Sequence, residues 1–330
     1  MKKLILPMLL IFSILSCSTQ KLSASEISIV NWNVQTFFDG NTDGTEYSNF
    51  KKNENWNKES YKTRLEKLCT AINDINADIF VFEEIENSGI VYDITNNLAK
   101  RSWILKDSWR YGTFFKNKKD AIGCAVISKF PITQVKTHNL DIRTESSLQP
   151  SMRPIGTVKI EAPDKPFILI VNHWKSKSGG KEKSEVWRAW QESVLVDQFI
   201  QNKDLPIIAC GDFNRDILEF SPLSAEFKTE NDNNIPNIEL KTKTNKKNVS
   251  VFSPWILQDK SLVLPGSYYY NGDWERIDSF FLNNLIFIKE FNVLTNELWS
   301  SENNIPKRFK ISNGEGFSDH LPIKCIFSTT

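Results

Sequence analysis

The chain is expected to be an α/β protein, on three observations. Short apolar runs of strand length recur along it, among them Ile27–Val34, Asp78–Ile85, Phe167–Val171 and Leu205–Cys210. Stretches with apolar residues at helical spacing lie between them. The runs also end in Asn, Glu, His or Asp, the residue types that carry chemistry. A length of 330 residues alone would suggest about two domains. No Pro/Gly/Ser linker divides the chain, however, and 40% hydrophobic with 25% charged residues is the balance of a globular protein with a large core, which excludes a disordered chain. Residues 27–330 are therefore expected to form one domain, with a surface insertion at about 221–265.

The N-terminus differs in kind. Lys2 and Lys3 precede an apolar stretch, Leu4–Leu15, that is too short to cross a bilayer as a mature helix and has the form of an export signal. Ile14-Leu15-Ser16-Cys17 resembles the lipobox of bacterial lipoproteins, so residues 1–16 are expected to be a signal peptide. Cys17 would then be the lipidated anchor and residues 17–26 a tether. Ordinary signal cleavage stays open, because Leu15 is less usual two residues before such a cysteine. The protein is expected to be exported, as a cell-envelope lipoprotein or a secreted enzyme, and monomeric. Removing Lys2 and Lys3 leaves 39 basic against 40 acidic residues, so net charge gives no reason to expect a polyanion partner. Any such partner must meet a local patch.

The first strand, Ile27–Val34, ends in Asn31-Trp32-Asn33. Tyr61, Leu65, Leu68, Ile72 and Ile75 then form the single apolar stripe of a helix. It leads into the strand Asp78–Ile85, which ends in Glu83 and Glu84. Alternation sends neighbouring strand residues to opposite faces, so only one of these acids is expected to enter a given site. A helix over residues 89–103, a strand pair at Tyr111–Phe115 and Ala121–Ser128, and a strand Ile132–Leu140 follow. His138, in that last strand, has no acidic or nucleophilic company and is expected to be structural or solvated.

Ile155–Ile160 precedes Phe167–Val171, a strand apolar enough to be buried on both faces. It ends in Asn172-His173-Trp174-Lys175. Lys175, Lys177, Lys181 and Lys183 surround Gly179-Gly180, in what is either a solvated loop or a phosphate-binding one. A helix from Ser184, as N-cap, to Gln201 would pack Trp187, Trp190, Val194, Leu195 and Ile200 inward. Gly211-Asp212-Phe213-Asn214 closes the next strand. Alone it could equally be a turn, but Asp212 and Asn214, two residues apart, suit a grip on one polar atom. Tyr268–Tyr270 and Trp274 could serve as a base-stacking or membrane surface, although strand packing near a hairpin is commoner. They precede Arg276-Ile277-Asp278, and Ser318-Asp319-His320 comes before a final strand to Phe327. Cys69, Cys124, Cys210 and Cys325 lie among apolar neighbours without CxxC spacing and are expected to be buried free thiols.

The polar strand ends are Asn33, Glu84, His173, Asp212, Asn214, Asp278, Asp319 and His320, and they include two of only three histidines. Carboxylates with an amide oxygen suit a hard divalent cation, and no Cys/His cluster suits zinc. Imidazoles and spare carboxylates suit proton transfer, and phosphoester hydrolysis needs both sets.

In order and spacing, Asn31-Trp32-Asn33, Phe82-Glu83-Glu84-Ile85, Asn172-His173-Trp174, Gly211-Asp212-Phe213-Asn214, Arg276-Ile277-Asp278 and Ser318-Asp319-His320 resemble the motifs of the endonuclease/exonuclease/phosphatase (DNase I-like) superfamily. One departure is Glu83, where many members carry Gln. The resemblance implies a four-layer α/β sandwich, two facing mixed β-sheets flanked by helices, with the site at one rim. It implies Glu84 as main ligand of Mg²⁺, with Asn33 and Asp319 in or near the same shell; Mn²⁺ and Ca²⁺ are compatible with the same oxygens. Asp212 would activate the attacking water and Asn214 would hold a phosphoryl oxygen. His173, and His320 oriented by Asp278, would serve the phosphate and the leaving group.

In look the chain is similar to secreted bacterial nucleases of that superfamily. Lys175, Lys177 and Arg188 would hold substrate phosphates of DNA or RNA. The alternative is a sphingomyelinase-type phospholipid diesterase working at the membrane that carries the anchor, though no long apolar hairpin is present to insert. An inactive binding module would require lost catalytic residues, and none of the eight is missing.

Overall fold

The structure, a computed structural model, describes residues 25–101, 108–140, 149–220, 237–243 and 247–329. The expected signal peptide, Cys17 and most of the tether lie outside the described residues. So do residues 221–236 of the expected insertion.

Two mixed sheets face each other. The first has the order β14-β15-β1-β2-β4-β3, with β1 Ile27–Phe37, β2 Ile79–Ile85, β3 Tyr111–Phe115, β4 Gly123–Ser128, β14 Ile286–Val293 and β15 Ile323–Thr329. The second has the order β5-β6-β7-β8-β13-β10-β9, with β5 Ile132–His138, β6 Ile155–Ile160, β7 Phe167–His173, β8 Ile207–Asp212, β9 Asn237–Lys241, β10 Asn248–Phe252 and β13 Asp278–Leu282. A small hairpin, β11 Tyr268–Tyr270 and β12 Asp273–Glu275, stands apart from both. Helices α2 Lys58–Ile75 and α3 Ser88–Arg101 cover the outer face of the first sheet, and α4 Lys181–Gln201 covers that of the second. Helix α1, Ser48–Lys51, is a single turn in the loop after β1. The architecture is the expected four-layer sandwich.

Strand alternation assigns the layers. Ile27, Ile29, Ile79 and Val81 join the core between the sheets, while Val30, Trp32, Phe80 and Phe82 pack under Leu65, Leu68 and Ile72 of α2 and Ile90 and Ile94 of α3. The α2 stripe read from the sequence is thus the buried one. Asn57 caps it, accepting from the backbone N–H groups of Glu59 and Ser60.

Each sheet contains one parallel pair, β1–β2 and β7–β8, and all its other pairings are antiparallel. Parallel neighbours need a crossover, which α2 supplies in the first case and α4 in the second. In each pair the two carboxyl ends lie side by side, and polar strand ends collect there.

Three expectations are corrected. Residues 237–241 and 248–256 are not a surface insertion: β9 and β10 extend the second sheet, and Ile238, Leu240, Val251, Phe252 and Trp255 are buried in its core. Helix α4 begins at Lys181 after Gly180, placing Ser184 inside the helix with its hydroxyl donating to the Gly180 carbonyl. Its buried face carries Arg188, Gln191, Glu192 and Ser193 beside Leu195, Val196 and Phe199, while Trp187 and Trp190 are half-buried. Polar residues occupy this face because α4 packs on a loop and a sheet edge whose backbone needs partners: the Gln191 side chain accepts from Lys175 N and the Glu192 side chain from Lys241 N. The four expected free thiols are buried and unpaired. His138 is structural, its Nε2 3.0 Å from Thr157 Oγ1.

Candidate active site

The β1–β2 pair supplies the first half of the site. Asn31 and Asn33 share the inward-facing register of Ile27 and Ile29, and Glu83 that of Ile79 and Val81, so all three point between the sheets. Alternation would send Glu84 outward, but the chain bulges there. Pairing shifts register between Glu83 and Ile85, and Glu84 adopts φ 66°. The bulge swings the Glu84 side chain back to the rim, 3.3 Å from Asn33 Nδ2, with Thr36 N donating to its other oxygen at 2.6 Å. Both acids therefore serve the same region, contrary to strict alternation.

The β7–β8 pair supplies the second half. Gly211 has φ 147°, and a Cβ there would lie 1.9 Å from the Asn172 carbonyl oxygen. Only glycine lets β8 press this closely on β7. In register, His173 pairs with Asp212. Asp212 accepts from Asn33 Nδ2 at 3.0 Å and from Asn214 N at 2.8 Å, and its Oδ2 lies 3.6 Å from His173 Nε2. His173 Nε2 is also 3.9 Å from Glu84 Oε1. Asn214, at φ 49°, donates Nδ2 to the Trp174 carbonyl at 3.2 Å. The tetrapeptide Gly211–Asn214 is a strand end that works as a turn, so both readings of it apply.

Strand β13 lies beside β8 with Asp278 opposite Asp212. Asp278 Oδ2 holds His320 Nδ1 at 2.8 Å. Trp32 Nε1 donates to the His320 carbonyl, and Ser318 Oγ donates to the Asn33 carbonyl at 2.6 Å while accepting from His320 N. Ser318 and Trp32 thus strap the Ser318–His320 turn onto the end of β1. Polar atoms of Asp212, Asp278 and His320 all fall within 4.8 Å of one another.

Burial and charge set the protonation states. Burial pushes Asp212 up to about 7, reinforced by Asp278 and opposed by His320. Burial, then Asp278 and Asp212, raise Glu83 well above the usual carboxylate range. Burial works against a charged His320, but Asp278, followed by Asp212 and Asp319, overcomes it and holds the imidazolium well above the usual histidine range. His173 goes the other way: burial, then the cations Arg153 and His320, keep it neutral. The two histidines are therefore distinct, one a cation and the other a neutral donor or acceptor.

The donor set fits a divalent cation. Glu84, Asp212, Asp278 and Asp319 gather at one rim, and the Asp278 charge adds to the burial that raises Asp212. Glu84, about one-fifth exposed, is the carboxylate best placed to meet both the ion and solvent. The Asn33 amide nitrogen faces Glu84 and Asp212, and its Oδ1 accepts from Gln35 N. Asp319 accepts from Arg308 at 2.9 Å, a half-exposed pairing that an ion must share or displace.

The expected phosphate contacts divide. Lys175 sits beside the site, its pKa lowered by burial and by nearby Arg153. Lys177 is paired with Glu275 at 2.8 Å, and Lys181 with Glu219 at 3.2 Å. Arg188 is not a phosphate contact. It is fully buried, and its guanidinium is spent on the Lys175 and Lys181 carbonyls, Ser184 Oγ and Glu185. It pins both ends of the lysine loop. Arg153 is the cation that the sequence reading missed. It donates to the Trp174 carbonyl, hydrogen-bonds Tyr47 and acts electrostatically on His173 and Lys175. Its position one residue before Pro154, at the entrance to β6, was the available signal. Tyr268 lies against His320, ring centroids 4.6 Å apart, and stacks on the exposed Tyr270.

With this geometry in hand, comparison with known proteins gives a family. A sequence profile of the Endonuclease/Exonuclease/phosphatase family matches residues 28–327, and the chain belongs to that family. Its members are divalent-metal-dependent phosphoesterases, and this chain is accordingly a phosphoester hydrolase. Similar solved structures include a humanized D. rerio TDP2 (TM-score 0.56, 16% identity, 92% of this chain and 99% of that one). The human Nocturnin catalytic domain is comparable (0.56, 16%, 92% and 95%), as is ANGEL2, described as a 2',3'-cyclic phosphatase (0.54, 14%, 93% and 96%). At these identities the likeness is one of fold. No curated protein matches the sequence significantly.

Proposed function

We propose that the chain is an extracytoplasmic, Mg²⁺-dependent nuclease that hydrolyses phosphodiesters of DNA or RNA. The observation that carries the reading is the gathering of Glu84 and Asp212 about neutral His173, with charged His320 beside Asp212 and the cations Arg153 and Lys175 nearby. The acids would hold a cation, and that cation with His320, Arg153 and Lys175 would offset the charge of a bound phosphodiester.

Glu84 would hold the Mg²⁺, which would supply Lewis acidity toward a phosphoryl oxygen. Asp212, nearly balanced between its two protonation states at neutral pH, takes the proton of the attacking water. Asn33 and the Asn214 backbone N–H hold that carboxylate in place. The free amide capacity of Asn214 and the N–H of neutral His173 orient the phosphoryl oxygens. Charged His320, its Nδ1–H held by Asp278, stabilises the charge that develops and delivers its other ring proton to the leaving oxygen.

Supporting a polynucleotide over a small phosphate ester are the lysine loop adjoining His173 and the Tyr268–Tyr270 stack beside His320. Export and lipidation at Cys17 belong to the same reading, motivated by the N-terminal sequence. Mature protein incubated with plasmid DNA, RNA and sphingomyelin, each with Mg²⁺ and with chelator, tests it. Mg²⁺-dependent cleavage of either nucleic acid is expected; hydrolysis of sphingomyelin alone would overturn it. Radiolabelled palmitate should enter the wild-type chain and not Cys17→Ser; equal labelling would refute the anchor.

A further inference from the structure

Arg64 of α2 is 4% exposed, and its guanidinium is committed to one short stretch of backbone beside the acidic rim. Nη2 donates to the Val34 and Gln35 carbonyls at 2.8 and 2.6 Å, and Nη1 donates to the Thr36 carbonyl at 3.0 Å. The Phe37 and Phe309 rings enclose the group, with centroids 4.5 and 3.6 Å from Cζ. The stretch it grips is strained: Gln35 and Thr36 both adopt left-handed conformations, φ 49° and 46°, which non-glycine residues rarely take.

That strain has a product. The turn aims two successive N–H groups at the acidic rim, Gln35 N at Asn33 Oδ1 (3.0 Å) and Thr36 N at Glu84 Oε2 (2.6 Å). Gln35 is anchored a second time, because its side chain exchanges hydrogen bonds with both backbone groups of Phe309. Arg64 grips the Thr36 carbonyl, which also accepts from Phe38 N at 3.0 Å.

We propose that Arg64 is a positioning residue for the metal site, holding the Gln35–Thr36 turn in its strained form so that Glu84 and Asn33 are oriented before the ion arrives. The inference rests on the reading of Glu84 as metal ligand. Arginine is needed because its planar fork serves three carbonyls at once; a lysine ammonium is a single point donor. The buried charge is tolerable because Glu84 and Asp319 offset part of its burial cost.

The test is Mn²⁺ binding to the full chain by calorimetry, with near-UV circular dichroism as the folding control. Partners that orient metal ligands are worth about 10–100-fold in affinity, so Arg64→Lys should weaken Mn²⁺ binding about 10-fold or more. Thr36→Gly keeps the N–H and removes the left-handed penalty. It should bind within about twofold of wild type and, combined with Arg64→Lys, recover at least about threefold of the lost affinity. If Arg64→Lys does not fold, Phe309→Leu, which uncovers the guanidinium, should weaken binding in the same direction. Unchanged affinity in Arg64→Lys, or in its stand-in, overturns the positioning role alone. Absence of rescue by Thr36→Gly overturns the turn as its route. A wild-type chain that takes no Mn²⁺ overturns the metal-ligand reading and the positioning role with it.

Discussion

His320 Nδ1 and Asp278 Oδ2 are 2.8 Å apart, and Asp278 lies opposite Asp212 across the β8–β13 ladder. One carboxylate thus serves two neighbours in opposite ways, holding His320 charged and raising Asp212. Replacing Asp278 with Asn removes the charge while keeping the shape. The raised pKa of His320 then falls, so the imidazole loses its proton at lower pH, and the alkaline limb of the pH–rate profile should shift to lower pH. Turnover at neutral pH should drop about 10²-fold, and His320→Ala should lose about 10² to 10⁴-fold at unchanged fold. A pH–rate profile of Asp278→Asn that overlays wild type would contradict the coupling.

Asp212→Asn should abolish turnover and leave substrate binding largely intact, since the carboxamide fills the same space but cannot take a proton. It also has a stability signature. A carboxyl raised from 3.8 to about 7 in the fold binds its proton more tightly there than in the unfolded chain. Its stabilising contribution is complete at low pH and disappears as pH rises to about 7. For metal-free protein, the Tm of Asp212→Asn relative to wild type should therefore be higher at pH 8 than at pH 5. An equal difference at both pH values would show that Asp212 is not perturbed.

The basic residues should separate into two kinds. Lys175→Ala should raise KM for nucleic acid and lower the slope of log KM against log salt by about 1, the cost of one phosphate contact. Arg188→Ala should instead destabilise the fold by about 3 kcal/mol, because several buried carbonyl and hydroxyl acceptors lose their donor. Urea denaturation and salt-dependent kinetics distinguish them; an Arg188→Ala chain of wild-type stability would put the guanidinium back among substrate contacts.

Much of this site was legible from the chain because strands end where chemistry begins. Asn33, Glu84, His173, Asp212, Asp278 and His320 could be collected from strand ends alone, and their order identified the family. The bulge at Glu84 was not legible: no residue there marks a left-handed conformation, and alternation taken literally sends one of Glu83 and Glu84 away. Arg188 looked like a phosphate ligand because arginines are rarely buried, and only the packing of α4 on the lysine loop shows its donors are spent. Strands β9 and β10 hid in an Asn- and Lys-rich stretch, since an edge hairpin buries one face and leaves the other polar. Arg153 was visible as a residue and invisible as a neighbour of His173, a contact made across β6 and β7.

Gly211→Ala tests the close approach that brings His173 and Asp212 together. A Cβ 1.9 Å from the Asn172 oxygen meets backbone on a buried strand pair, so nothing cheap can move aside. The substitution should cost about 3 kcal/mol or more, or prevent folding. Thermal unfolding measures it, and a shift of under a degree would show that β7 and β8 are not pressed together as described.

The central claim is that one metal-assisted, proton-transferring site is built from Glu84, Asp212 and His320. Its most direct measurement is the steady-state hydrolysis of bis(p-nitrophenyl) phosphate, a diester with no base or lipid to recognise, by wild type, Glu84→Ala, Asp212→Asn and His320→Ala, each with Mg²⁺ and with EDTA. Hydrolysis should appear only in wild type with Mg²⁺, with each variant reduced at least about 10²-fold. Wild-type turnover that survives EDTA, or a Glu84→Ala enzyme as fast as wild type, would contradict it.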